Sequence, residues 1–243
     1  MDIQETNKRL LKKRANLTSQ RKITEKAQKV GTLDIRRKKM MMPQHLECRS
    51  NEVDSDKYLL DRRKKIWREY SGIPEKFEHA GFDNYKLIPK NRNQANIYNK
   101  VKHEQKDMIL VGGVGTGKTH LACAKIKQFI DNGLQAQFVL LIKLIREIKS
   151  SWKSNHVNES EIIKHFGEVP FLVIDEIGVQ FESDTEKQYL TEIINDRYNN
   201  KLPTYIISNM TIEELSGVVG SRVVSRFEES KQLGLFDWGS YRK

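Results

Sequence analysis

The sequence predicts an α/β fold, a parallel sheet sandwiched by helices, and three observations predict it. From residue 108 onward, short apolar runs alternate with amphipathic helical patterns, the order that a parallel sheet with helical crossovers requires. A glycine-rich segment, residues 112–119, sits between the first apolar run and the first helical pattern. A later apolar run ends in two adjacent acids, Asp175 and Glu176, about 55 residues further on.

The elements follow in order. Residues 108–111 read as a buried strand and 119–132 as a helix stopped by Gly133. Residues 136–141 are a second strand and 142–153 a helix; 171–175 is a third strand. Residues 184–199 read as a helix, with Ser183 and Glu186 as its expected capping box. Residues 205–208 are a fourth strand, followed by a helix at the Thr211/Glu214 capping box, another over 221–229, and a short strand over 233–236. There is no internal repeat and no low-complexity tract.

The front of the chain differs. Of the net charge of +11, nearly all lies in residues 1–72, with 20 Lys and Arg against 10 Asp and Glu; residues 73–243 carry 23 against 22. That imbalance points to an anionic partner. Ile3, Leu10 and Leu17 recur every seven residues, with Ile23 and Val30 as a shifted pair. One apolar position per heptad is too thin for a self-sufficient core, which leaves a solvated, partly disordered arm or a helix docking on a partner protein. Residues 41–56 read as a linker, and 57–70 (KYLLDRRKKIWREY) as a basic helix with Leu59, Ile66 and Tyr70 on one face, ended by Gly72 and Pro74. The predicted domains are therefore 1–72, a basic helical partner-binding region and linker, and 73–243, the α/β domain.

Cys48 and Cys123 form no spaced cluster, which argues against zinc and for two reduced thiols in a cytoplasmic protein. No run approaches the apolar length of a membrane span, and the first residues lack the apolar core of a signal peptide.

The chemistry is carried by residues 112–119. Gly112, Gly113, Val114, Gly115, Thr116, Gly117, Lys118 and Thr119 fit G-x-x-x-x-G-K-[ST] without mismatch. Glycines let the backbone wrap an anion with its N–H groups turned inward, and the helix N-terminus that follows adds its dipole. Lys118 would reach the β- and γ-phosphates of ATP, and the Thr119 hydroxyl is a hard oxygen ligand for Mg²⁺. Asp175 would orient the metal through water, and Glu176 would act as general base on the attacking water. Asn209, at the end of the fourth apolar run, is placed to hold that water or the γ-phosphate, or is an ordinary turn residue. Arg222 and Arg226, four apart on one helix face, are a solvated pair or a finger presented to a neighbouring subunit's γ-phosphate.

Together these motifs resemble AAA+ ATPases. The run 171–180 (FLVIDEIGVQ) with Glu182 and Ser183, the segment 220–227 (GSRVVSRF), the ending 237–242 (DWGSYR) and the stretch 72–85 (GIPEKFEHAGFDNY) are similar to the bacterial replicative helicase loaders of the DnaC type, over roughly residues 73–243. The resemblance implies an ATPase with weak intrinsic turnover that places the hexameric replicative helicase on single-stranded DNA in initiation or restart. It implies a helicase grip in the N-terminal region and self-association through the ATPase domain. By residue it implies Lys118 and Thr119 as the phosphate-loop pair, Asp175 and Glu176 as the second motif, Asn209 as sensor, and Arg226 as finger with Arg222 next in line. Only 17 residues (243 − 226) follow Arg226, which fits a loader without the C-terminal helical lid of typical AAA+ proteins. A helical insertion over 142–166 occupies the place of the family's DNA-contacting helix, and Lys143, Arg146, Lys149, Trp152 and Lys153 in it suit a phosphate-tracking surface with one stacking aromatic, or an ordinary basic face. Residues 1–70 do not match the family's helicase-binding region, as in a loader for a divergent or phage-encoded helicase.

Three other readings remain open: an IstB-type ATPase assisting a transposase, a nucleic-acid-binding protein that holds ATP as a structural ligand, and a P-loop kinase. The Asp-Glu pair disfavours the last, since it serves water activation rather than an acceptor site.

Overall fold

The computed structural model describes residues 52–152, 158–178, 183–229 and 232–242. The arm with its heptad-spaced residues, Cys48, Lys153 and the continuation 179–182 lie outside the described residues. The chain divides into two units, Met1–Lys57 and Tyr58–Lys243. Of the first, only the opening turns of helix α1 (Glu52–Glu69) are described.

That helix starts at Glu52 rather than 57, so the last residues of the expected linker are helical. Its packing face also differs from the expected one. Leu59, Ile66 and Tyr70 are 47%, 36% and 58% exposed, and the residue packed on the core is their neighbour Trp67. Trp67 offers the larger apolar surface, which decides the rotation of a helix with no full apolar stripe. Arg68 pairs with Asp131 in the same region.

In the second unit a 3₁₀ turn (Glu75–Phe77) leads to α2 (Arg92–His103), whose start is capped by Asn91 accepting from the Gln94 N–H at 2.9 Å. Then come β1 (Met108–Gly112), α3 (Lys118–Asp131), β2 (Ala136–Leu140), α4 (Leu141–Ser151), α5 (Glu159–Glu168), β3 (Phe171–Ile177), α6 (Asp184–Asn199), β4 (Thr204–Ser208), α7 (Ile212–Val219), α8 (Ser221–Glu229) and β5 (Leu233–Phe236). The strands pair in the order β2-β3-β4-β1-β5, every pair parallel.

Each strand is apolar on both sides because both faces of the sheet are covered. Ile109, Val111, Leu172, Ile174 and Ile206 pack with α4 to α8 on one face; Met108, Leu110, Phe171, Val173, Tyr205 and Ile207 pack with α2 and α3 on the other. Cys123 is a buried free thiol within the second layer. Among the described residues no helix is long and apolar enough to cross a membrane.

The helical insertion expected over 142–166 is two helices, α4 and α5, the second capped by Asn158. The capping box expected at α6 does not form. Ser183 stands at the N-cap position without a side-chain bond, and Glu186, only 5% exposed at its side chain, pairs with Lys149 of α4 at 2.5 Å. A carboxylate buried under the insertion needs a cation more than the helix needs its second cap. The Thr211/Glu214 box does form, with both reciprocal bonds present.

Candidate nucleotide site

The carboxyl ends of β1, β3 and β4 lie side by side, and the expected site residues follow them. Ligands of open parallel sheets bind at this edge. The loop after β1 turns through positive φ at Gly112, Gly115 and Gly117 (133°, 80° and 95°). The tight turn is braced by the Thr116 hydroxyl donating to the Gly113 carbonyl at 2.8 Å.

Lys118 opens α3 and folds back into the loop. Its ammonium donates to the carbonyls of Gly112 and Gly113 at 2.7 and 2.8 Å and to Asn209 Oδ1 at 2.9 Å. It is 5% exposed, and burial lowers its pKa to about 8, a shift that the nearby Asp175 partly opposes. Thr119 Oγ1 donates to Asp175 Oδ2 at 2.8 Å. Asp175 is buried at the end of β3, and burial raises its pKa against the opposing pull of the Thr119 bond. Its other oxygen accepts from the Glu176 N–H at 2.7 Å.

Glu176 is exposed and adopts φ = 61°, a left-handed conformation uncommon for a residue with a Cβ. The β3–β4 register shifts between Ile174 and Ile177. This irregularity lets consecutive acids part ways: Asp175 is held in the sheet while Glu176 faces the cleft. Strained backbone of this kind concentrates at functional positions.

The cleft holds about 430 Å³ and is lined by the loop from Val114 to Thr119 with Asp175, Glu176 and Asn209. The far wall is made by residues that the sequence reading left without a role. Phe77, Asn84, Tyr85 and Lys86 come from the segment before α2, and Tyr241 and Arg242 from the segment after β5. Tyr85 and Tyr241 meet edge to face at 6.1 Å between ring centroids. The residues thus fit a Mg-nucleotide: a glycine loop with a lysine for polyphosphate, and two hard oxygens from Thr119 and Asp175 for the cation.

Arg222 and Arg226 do not join this cleft. Both are on α8, where Arg222 is exposed. The Arg226 guanidinium lies 4.1 Å from the centroid of the Tyr198 ring and donates to Asn195 Oδ1 at 2.9 Å. On α4, Lys143 and Arg146 are exposed and Lys149 is committed to Glu186; just past its end, Trp152 is 60% exposed with its Nε1 donating to Glu159.

Comparison with known proteins gives the family. The family described as IstB-like ATP binding protein matches residues 78–226. A protein named replicative helicase loader DnaC from Buchnera aphidicola subsp. Baizongia pistaciae is 34% identical over 183 residues, covering 71% of this chain and 73% of that protein. The protein of the same name from Escherichia coli K12 is 30% identical over 192 residues, covering 75% and 78%. The crystal structure of a DnaC helicase loader superposes with a TM-score of 0.57 at 28% identity, covering 67% of this chain and 99% of that one. The sheet order, the phosphate loop and these relatives converge: the chain belongs to the family of IstB-like ATP-binding proteins, together with the replicative helicase loaders of the DnaC type.

Proposed function

We propose that this protein loads the replicative helicase onto single-stranded DNA in an ATP-dependent manner during replication initiation or restart. The observation that carries the reading is the convergence of Lys118, Thr119, Asp175 and Asn209 at one sheet edge, in a chain whose relatives bear the loader name.

In this reading Lys118 and the loop amides hold the β- and γ-phosphates. Thr119 and Asp175 would hold Mg²⁺, which would supply charge neutralisation to the phosphates. Glu176 accepts a proton from the attacking water, and Asn209, bonded to Lys118, positions that water or the γ-phosphate. Arg226, absent from the lining of its own cleft, completes a neighbouring subunit's site, so an isolated chain turns over slowly. Residues 1–72 grip the helicase, and Lys143, Arg146 and Trp152 offer single-stranded DNA a basic surface with one stacking ring. Lys149 drops out of that surface, since its charge is spent on Glu186.

The test mixes the full chain with its host's hexameric helicase and ATP, and follows complex mass together with hydrogen exchange. A stable complex with protection appearing over residues 1–72, followed by helicase transfer to single-stranded circles, is the expected result. No complex, but capture of a transposase–duplex DNA assembly, would move the protein to the IstB-type role.

A further inference from the structure

We propose that residues 237–242 form a strap that aims the phosphate-binding amides of the loop; this rests on the nucleotide reading of the same cleft. The strap leaves β5, whose parallel pairing with β1 ends at Gly112 and Phe236. It then runs against the loop, and Tyr241 and Arg242 continue into the cleft wall. The buried Trp238 donates its indole N–H to the Thr116 carbonyl at 2.9 Å, and the Tyr241 backbone N–H donates to the Gly115 carbonyl at 2.9 Å.

These two carbonyls belong to consecutive peptide planes, Gly115–Thr116 and Thr116–Gly117. In a trans peptide the C=O and N–H point in opposite directions. A carbonyl pinned to the strap therefore turns the N–H of Thr116 or Gly117 away from it, toward the inside of the loop. Those inward N–H groups are what a polyphosphate binds. Left to itself, a glycine-rich turn samples many conformations, so each outward pin removes disorder that a phosphate would otherwise have to remove on binding.

The strap is itself fixed. Trp238 packs on Phe236 with ring centroids 4.6 Å apart. The Tyr241 hydroxyl donates to the Lys86 carbonyl at 2.6 Å and contacts the amide of Gln94, which is fully buried. Gln94 in turn donates to the Lys86 carbonyl at 3.2 Å and bonds the Tyr85 hydroxyl. The fit is close: a Cβ on Gly115 would stand 2.1 Å from Ser240 Oγ, and one on Gly112 would stand 2.3 Å from the Phe236 carbonyl oxygen. At Gly115 the strap thus leaves no room for a side chain, and at Gly112 the end of β5 leaves none. Trp238 and Tyr241 are positioning residues that act through the loop backbone.

The test uses the full chain and two probes, ADP and inorganic pyrophosphate, measured by calorimetry. Trp238→Phe keeps an aromatic ring and deletes the N–H. Tyr241→Pro deletes the backbone N–H, and Tyr241→Ala is its control with that N–H intact. Each lost pin is expected to weaken pyrophosphate and ADP in parallel by about fivefold, the equivalent of one net hydrogen bond, with the unfolding temperature of the free protein little changed. Unchanged pyrophosphate affinity in Trp238→Phe, with Tyr241→Pro matching Tyr241→Ala, would overturn the strap's role even if ADP binding fell. Should Trp238→Phe not fold, the Tyr241 pair alone decides. A wild-type chain that binds neither probe would instead remove the nucleotide reading, and the strap's role with it.

Discussion

The Thr119 hydroxyl donates to the Asp175 carboxylate at 2.8 Å, which ties the first turn of α3 to the end of β3 and puts two hard oxygens side by side. A divalent cation there would be held by these two oxygens, and its charge would replace the hydrogen bond that now joins them. Thr119→Val is therefore expected to abolish most of the Mg²⁺ enhancement of ATP binding while leaving binding in EDTA near the wild-type level. Titrations with and without the metal check this. Because burial raises the Asp175 pKa, protons compete with the cation more strongly than at an ordinary aspartate. The enhancement should fade as pH falls, and at a higher pH than an ordinary aspartate would give. Equal loss of metal-free binding in Thr119→Val would speak against the metal assignment.

Lys118 supplies a pH signature of opposite sense. Its pKa in the folded chain is lowered to about 8, so the ammonium that phosphate needs is present below pH 8 and lost above it. Nucleotide affinity should decline as pH rises through that value. A bound phosphate restores the charge, so binding at pH 9 takes up a proton that binding at pH 7 does not. Calorimetry in two buffers of different ionisation enthalpy reads this directly, and Lys118→Ala should lose both the uptake and most of the affinity. Folding stability moves the other way. Between about pH 8 and the unfolded value of 10.5 the unfolded chain holds the proton that the folded chain has shed, so this group's contribution to stability improves with rising pH.

The strands, the loop and the acids were legible in the sequence because each obeys a local rule. A strand covered on both faces is a continuous apolar run, and the glycine loop is a contiguous motif. The cleft's far wall obeys none. The Tyr241 hydroxyl meets the Lys86 carbonyl across 155 positions, and although Tyr241 lies in a segment that carries the family resemblance, nothing local to it tells where its hydroxyl goes. Helix α2 has no strong apolar stripe, with only Ala95, Ile97, Tyr98 and Val101 among polar residues; the Asn91 cap is its local signal. The capping box at Ser183 was read but not formed, because Lys149 reaches Glu186 from an element far away in sequence. The rotation of α1 was likewise settled by Trp67 against the core rather than by spacing.

Arg197 was also silent in the sequence, and it fixes the opposite end of the sheet. Fully buried, it donates to the carbonyls of Phe166, Val169 and Pro203 at 2.7–2.8 Å and to Thr204 Oγ1 at 2.8 Å. Burial lowers its pKa to about 9, with the nearby Asp107 acting against the shift. Arg197→Ala leaves four acceptors without this donor and opens a cavity, and is expected to cost about 3–5 kcal/mol. Urea denaturation measures that loss. Pyrophosphate affinity should stay unchanged at temperatures where the variant is folded, since no cleft residue touches Arg197.

Arg226 is held by two partners on α6, the Asn195 amide oxygen at 2.9 Å and the Tyr198 ring at 4.1 Å, and is absent from the lining of its own cleft. If it serves a neighbour, Arg226→Ala should bind ATP normally yet lose assembly-dependent hydrolysis by on the order of 10³-fold. Tyr198→Ala should lose part of the same activity, because the guanidinium then samples rotamers that do not reach across an interface, and Tyr198→Phe should recover it through the retained ring face. Mixing supplies the decisive measurement. Arg226→Ala keeps an intact cleft without a finger, and Lys118→Ala keeps a finger without a working cleft. Each alone is inactive, and an equimolar mixture should regain hydrolysis at interfaces that combine the two good halves. A mixture as inactive as its components, under conditions where the wild type assembles and hydrolyses, would place the catalytic arginine elsewhere, with Arg222 the next residue to test.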